Sequence, residues 1–381
     1  MRLAHLADTH LGFSAYRRLS DEGVNIREQD VYDAFGRCID HIIKMRPDVV
    51  VHAGDLFDGV RPNNRAISVA LSQIRRLSEE QIPLILIAGN HETPRLRETG
   101  SIFRIFDHLA YVHAVYQGEY ESFEIDGDMQ ESMMVHAVPH VSSQESFEKI
   151  ISSISPSKKH RYNMFVCNGA VEGVEWYAAG SGSELVIPVD FLASRFDYVA
   201  LGHYHKAMPV IAAGNAWYCG SLERMSFGEV EENKGVVEVE FRQDGVLPRF
   251  VDLPTRPMID IGPIKARTLS VEEVMKEVFK QLKKINPAEK IVRIRLEGLS
   301  SDVYRGLDFK EIRRRCRDAV HCEIRTEVLR SETSPAVEVV RLESLSKEFS
   351  RFVSSEKIQQ KKQLQELGLE YIGRVTEEGD S

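Results

Sequence analysis

Short apolar runs alternate with longer amphipathic stretches along the first 250 residues. Arg2–Ala7 reads as a strand. Val31–Met45 then places Val31, Phe35, Cys38, Ile39, Ile42 and Ile43 on one helical face. Asp48–Ala53 is strand-like, Arg65–Glu80 helical and Pro83–Ala88 strand-like again. Ser132–Val138, Tyr162–Val166, Asp197–Leu201 and Gly235–Phe241 read as further strands, with more turn residues between them. Strands alternating with helices predict a layered α/β domain. Pro254, Pro257, Gly262 and Pro263 then punctuate the chain. Beyond them come a strand, a helix at Ser270–Ile285, a strand at Ile291–Leu296, a helix around Phe309–Ala319 and a strand at Glu323–Leu329. The expected organisation is a main domain over 1–257, a smaller α/β module over 258–330 and a helical tail over 335–381. In the tail Leu342, Leu345, Phe349, Phe352 and Val353 recur at helical spacing, and Ile358 and Leu364 mark a second helix.

Composition narrows the class. Apolar stretches such as Val49–Val51 and Leu84–Ala88 have the length of buried strands and fall far short of the roughly 18 residues of a membrane span. The opening Met1-Arg2-Leu3-Ala4-His5 lacks a signal-peptide layout. The five cysteines, Cys38, Cys167, Cys219, Cys316 and Cys322, are scattered and form no Cys-x-x-Cys pair, which argues for a reducing, cytoplasmic setting. Net charge is −9, but it is unevenly spread. Residues 1–257 carry 25 basic against 36 acidic side chains, and residues 258–330 carry 17 against 12. An acidic first part suits divalent cations, which reverse the local field, and a basic second part suits a phosphate backbone.

The candidate chemistry gathers in five clusters, each where a predicted strand gives way to a loop: Asp8-Thr9-His10, Gly54-Asp55, Gly89-Asn90-His91-Glu92, Asn168-Gly169 and Gly202-His203-Tyr204-His205. The carboxyl ends of strands in layered α/β proteins form the crevice where ligands bind. Asp-x-His and His-x-His put two donors on one side of an extended segment, because side chains there alternate. Carboxylate, imidazole and carboxamide together suit Mn²⁺, Fe²⁺ or Zn²⁺ better than a calcium cage or a thiolate zinc site.

In this order, with their glycines, the clusters resemble the calcineurin-like metallophosphoesterases and, more narrowly, the Mre/SbcD nucleases that partner Rad/SbcC ATPases. The narrower likeness rests on Asp8-Thr9-His10-Leu11-Gly12, Arg27-x-x-Asp30 and Ala53-Gly54-Asp55-Leu56-Phe57-Asp58. It also rests on Ala200-Leu201-Gly202-His203-Tyr204-His205-Lys206 and on Gly220-Ser221-Leu222-Glu223-Arg224 leading to Phe227 and Glu229. The resemblance implies two sheets flanked by helices, a DNA-contacting capping domain and a tail that grips the ATPase. It implies a homodimer and two Mn²⁺ per chain, one held by Asp8, His10, Asp55 and His205, the other by Asp55, Asn90, Asn168 and His203. His91 is then the catalytic residue beside the ions, stabilising phosphate or protonating the leaving 3′-oxygen. The family usually has histidine where this chain has Asn168, whose carbonyl oxygen binds borderline ions more weakly.

Tyr16, Arg17, Arg61, Asn63, Arg95, Arg97 and Lys206 each fall near a cluster and are candidates to contact DNA phosphates. His5, His41, His52, His108, His113, His136 and His140 lie outside the clusters and are expected to be hydrogen-bonded structural residues. Three readings remain open: a Mn²⁺-dependent DNA nuclease with 3′–5′ exonuclease and single-strand endonuclease activity, a metallophosphoesterase of smaller substrates, and a non-catalytic DNA-binding scaffold.

Overall fold

The structure, a computed structural model, describes residues 1–94, 100–127, 131–174, 185–192, 195–210 and 214–329. In the tail it describes 349–350, 352–354, 361–365 and 367–369. Two six-stranded sheets face each other. In the first, β1 (Arg2–Leu6), β2 (Val49–His52), β3 (Leu84–Ile87) and β4 (Val112–Val115) run parallel and in order. All four residues of β2 and of β3 are buried, which is why these strands are unbroken apolar runs rather than alternating ones. The hairpin β13 (Gly235–Arg242) and β14 (Gly245–Asp252) returns antiparallel against β1.

The second sheet centres on three parallel strands, β6 (Ser132–Val138), β7 (Tyr162–Asn168) and β10 (Tyr198–Gly202). β5 (Glu121–Asp126) flanks β6, while β11 (Met208–Val210) and β12 (Ala216–Tyr218) close the other edge. One apolar core runs from the outer helices through the first sheet to Val135, Met164, Val166 and Tyr198 of the second.

The helices begin where capping chemistry allows. α1 (Ile26–Met45) starts five residues before the apolar periodicity, because the side chain of Asn25 accepts from the backbone N–H of Arg27 and Glu28. Asn63 caps α2 (Asn64–Glu79) in the same way, through Ala66 N–H. Beyond Pro257, β15 (Met258–Lys265), β16 (Ile291–Leu299) and β17 (His321–Val328) form a separate parallel sheet. α5 (Val271–Ile285) packs on it, opened by a Ser270/Glu273 capping box. The helix read over Phe309–Ala319 ends at Arg315.

This module docks through the small cluster Phe227, Met258, Ile291 and Val320, against which Tyr16 and Ile26 pack. A charged bridge lies beside it. Arg256 grips Asp30 with two bonds of 2.7 Å, and the buried Arg27 donates to the same carboxylate at 2.6 Å. In the tail, Leu342, Leu345 and Ile358 lie outside the described residues; Val353 is buried, while Phe352 and Leu364 are exposed.

Candidate metal centre

The loops after β1 and β2 are zipped together by backbone bonds: Asp8 N–H to Gly54 O (3.0 Å), His10 N–H to Asp55 O (3.0 Å) and Leu11 N–H to Leu56 O (2.8 Å). Asp8, His10, Asp55 and His203 all adopt positive φ, at 49°, 51°, 57° and 100°. None is glycine, so each stores strain of order 1–3 kcal/mol that the surroundings must hold in place. Strain at four candidate ligands, in loops from both sheets, is how the chain turns side chains of separate strand ends toward one point.

Two glycines make the approach possible. A β-carbon on Gly89 would lie 2.2 Å from Asp55 Oδ1, and one on Gly202 would lie 2.1 Å from Ala53 O. Through these contacts Asp8 accepts from His203 N–H at 2.9 Å, and Asp55 accepts from His91 N–H at 3.0 Å. The structure brings potential ligand atoms of Asp8, His10 and His205 within 4.8 Å of one another, and likewise those of His10, Asp55 and His91.

Several atoms are arranged for a cation. His10 Nε2 and His205 Nε2 face each other at 3.1 Å, a separation that calls for a proton or a metal between two lone pairs. Asn90 Oδ1 and Asn168 Oδ1 are buried without a hydrogen-bond partner, and an orphaned amide oxygen is costly unless something positive meets it. The Asn168 amide nitrogen donates to Ala53 O at 3.1 Å and Asp55 Oδ2 at 3.2 Å, which leaves the oxygen as the atom available for ligation. Burial and the facing charge of Asp55 push the Asp8 carboxyl up to about 7. Burial also opposes ionisation of Asp55, but the imidazoles of His10 and His91 outweigh it and hold that carboxyl below the usual range. Two carboxylates this close want a counter-charge, and a divalent ion supplies it. The residues present fit a metal.

His91 is exposed at the rim. Its Nδ1 lies 3.2 Å from Asp58 O, a carbonyl that can only accept, so the ring donates there and Nε2 is left as the unprotonated nitrogen. His10 Nδ1 lies 3.3 Å from Asp58 Oδ1 but makes no hydrogen bond there, so Asp58 faces both imidazoles and bonds to the His91 ring alone.

The candidate DNA contacts divide. Arg17 and Arg61 are exposed. Tyr16 instead stacks on His321 of β17, with ring centroids 3.8 Å apart, and Asn63 is occupied by its helix cap and by a 3.0 Å bond to Glu28. Both therefore have structural work. Lys206 directly follows His205, while Arg95 and Arg97 lie outside the described residues.

Two residues beneath the site, neither among the candidate ligands, support it. Glu92 is wholly buried and accepts from Leu56 N–H (3.1 Å) and Gly89 N–H (3.2 Å), tying the second and third loops together. Burial, and then the nearby Asp55, push its carboxyl well up, while the two backbone N–H groups pull the other way. His52 was expected to be structural, and its Nε2 holds Thr9 Oγ1 at 2.8 Å, between the two ligands of the first cluster. Position in the Asn90-His91-Glu92 run was the available signal for Glu92.

Residues 1–207 match the family model described as calcineurin-like phosphoesterase. Among curated proteins the chain is similar to the DNA double-strand break repair protein Mre11 of Methanococcus maripaludis, 30% identical over 240 residues, covering 61% of this chain and 60% of that one. It is 29% identical over 301 residues to the protein of the same name from Methanocaldococcus jannaschii, covering 76% and 72%. The Sulfurisphaera tokodaii protein is 29% identical over 314 residues, covering 78% and 74%. The chain thus spans three-fifths of the first relative's length and nearly three-quarters of the other two.

Proposed function

We propose that this chain, which belongs to the calcineurin-like phosphoesterase family, is a Mn²⁺-dependent phosphodiesterase that processes DNA ends in double-strand break repair. The observation that carries the reading is the convergence of carboxylates, imidazoles and two unsatisfied amide oxygens at the facing strand ends. The Mre11 proteins to which it is similar supply the substrate.

Asp8, His10, Asp55 and His205 would hold one ion, and Asp55, Asn90, Asn168 and His203 the other. Bound there, two ions supply Lewis-acid activation of water and positive charge for the scissile phosphate. The protein's own part is positional. The loops after β1 and β2 fix the carboxylates before substrate arrives, so little reorganisation remains when charge develops. His91, exposed beside His10 and Asp55, would give a proton to the leaving 3′-oxygen or stabilise the phosphate. Arg17, Arg61, Arg95, Arg97 and Lys206 are assigned to the DNA backbone, which fixes register without reading sequence.

The finer assignment is 3′–5′ exonuclease and single-strand endonuclease activity, in a homodimer joined to a Rad/SbcC-type ATPase through the tail. Cleavage of a linear duplex titrated with Mn²⁺ and with Mg²⁺ tests it. Activity is expected with Mn²⁺ and little with Mg²⁺, because magnesium tolerates three imidazole donors poorly. Equal rates in the two metals would count against the donor set. Hydrolysis of small phosphodiesters alone would favour a small-substrate enzyme, and tight DNA binding without cleavage would favour a scaffold.

A further inference from the structure

The segment after β12 carries a lysine with no exposed side-chain surface, an expensive thing to bury. Lys234 Nζ is met by Glu229 Oε2 at 2.7 Å, His205 O at 2.8 Å, Glu232 Oε2 at 2.9 Å and Ser221 Oγ at 3.0 Å. Four acceptors around one ammonium hold it firmly, and one of them belongs to the backbone of a candidate ligand. Ser221 N–H donates to the same His205 carbonyl at 3.0 Å.

Glu229 is the link to the ring. Its Oε2 accepts from Lys234 and from Met225 N–H at 3.2 Å, while Oε1 accepts from Ser226 Oγ at 3.3 Å and faces His205 Nδ1 at 3.4 Å. The Lys234 ammonium, 2.7 Å from Oε2, is the counter-charge that the Glu229 carboxylate meets inside the fold. A carboxylate can only accept, so His205 keeps its proton on Nδ1 and presents the lone pair of Nε2 toward His10. Metal-bound histidines are commonly fixed by such an outer carboxylate, which sets tautomer and ring orientation.

We propose that Glu229, backed by Lys234, is the positioning carboxylate of the His205 metal site. This rests on the metal reading above and assigns a role to residues that lie outside the ligand set. Glu229 and Glu232 both pair with Lys234, but only Glu229 reaches His205. That difference separates positioning from mere stability.

The test is Mn²⁺ calorimetry on the full chain, with melting temperature in EDTA as the measure of folding, for the unaltered protein, Glu229→Gln and Glu232→Gln. Glutamine keeps the shape and removes the charge in each case. Glu229→Gln is expected to weaken the tighter Mn²⁺ site by roughly 10- to 100-fold, the scale seen when outer partners of metal ligands are changed. Glu232→Gln is expected to stay within about twofold while losing a comparable amount of thermal stability. Equal weakening by both variants, or no weakening by Glu229→Gln, overturns the proposal. Should Glu229→Gln not fold, histidine ¹⁵N spectra of the unaltered protein with diamagnetic Zn²⁺ carry the test. His205 protonated on Nδ1 and bound through Nε2 supports the proposal, and the opposite tautomer overturns it. An unaltered protein that takes up no Mn²⁺ overturns the metal reading itself, and this inference with it.

Discussion

His91 and Asn168 have opposite surroundings in the proposed site, one exposed and one buried, and the role of each can be tested by one substitution. His91 is exposed and engages Asp58 O through its ring, so removing that ring leaves the carboxylates and imidazoles beneath it in place. His91→Ala is expected to bind Mn²⁺ as the unaltered protein does while cleaving DNA on the order of 10²-fold more slowly, the scale for general-acid and charge-stabilising groups. Loss of Mn²⁺ in calorimetry would make His91 a ligand, a role that its closeness to His10 and Asp55 permits geometrically. Asn168 is buried, with its nitrogen on Asp55 and its oxygen unsatisfied. An amide oxygen holds borderline ions less tightly than imidazole, so the site containing Asn168 and His203 is expected to fill only at high Mn²⁺. Asn168→His should raise affinity there by roughly 10- to 100-fold and increase cleavage without changing DNA binding. Two equally tight sites before the substitution would remove Asn168 from the ligand set. The candidate clusters were legible in the sequence because donor side chains gather beside glycines where apolar runs end, not because an extended backbone aligns them. Glu229 and Lys234 were not, since a buried ion pair looks like any surface pair until the chain is folded.

At the scale of elements, strands and helices could be read wherever burial was continuous or one-sided. β2 and β3 are apolar on both faces, and α1 buries Val31, Phe35, Cys38, Ile39 and Ile42 on one. Element ends were less legible, because caps and tertiary bonds set them: Asn25 starts α1 early, and α7 (Phe309–Arg315) closes four residues before the apolar pattern does. The Tyr16 ring, a candidate for DNA contact, also stacks on His321, which the sequence does not suggest. No local pattern announces a partner three hundred positions away. Glycines show the same dependence on surroundings. In α1, a β-carbon on Gly36 would meet only Gln73 Nε2, at 3.9 Å, so Gly36→Ala should stabilise by up to about 1 kcal/mol through helix propensity. At the end of β10 the same change drives a methyl to 2.1 Å from Ala53 O. Gly202→Ala is therefore expected to cost roughly 1–3 kcal/mol and to weaken Mn²⁺ binding, because the strain separates His203 from Asp8. Melting temperatures and Mn²⁺ titrations of the pair check both signs, and a stabilised, metal-competent Gly202→Ala would show that the strand ends can part without harm.

For the whole molecule, polar contacts join the layers alongside the shared apolar core, and two of them can be tested. Asp30 serves Arg27 and Arg256 at once, joining the main sheets to the segment that enters the β15–β17 module. With Arg27 almost wholly buried, Asp30→Asn removes its nearest counter-charge, and a loss of roughly 3–5 kcal/mol is expected in urea unfolding. A loss below about 1 kcal/mol would mean that Glu223, at 3.7 Å from Arg27, suffices as its counter-ion. The two large sheets are joined by His5 of β1, which donates from Nε2 to Leu201 O at 3.2 Å and accepts at Nδ1 from the Tyr198 hydroxyl at 2.9 Å. Both ring nitrogens are used in the neutral form, and burial holds the imidazole down to about 3, from an ordinary value of 6.5. Between those values the unfolded chain binds a proton at His5 that the folded chain refuses. Stability from this group is therefore complete above about pH 6.5 and is lost as pH falls toward 3, by about 1.4 kcal/mol per pH unit. His5→Gln offers an amide donor and acceptor but no proton to take up. Unfolding free energies of the two proteins, measured by urea in EDTA at pH 6.5, 5.5 and 4.5, should therefore converge or cross by about that slope. The unaltered protein should be ahead at the highest pH and lose ground at each step. Parallel curves would show that His5 titrates alike in both states, and that the contact between the sheets withstands acid for another reason.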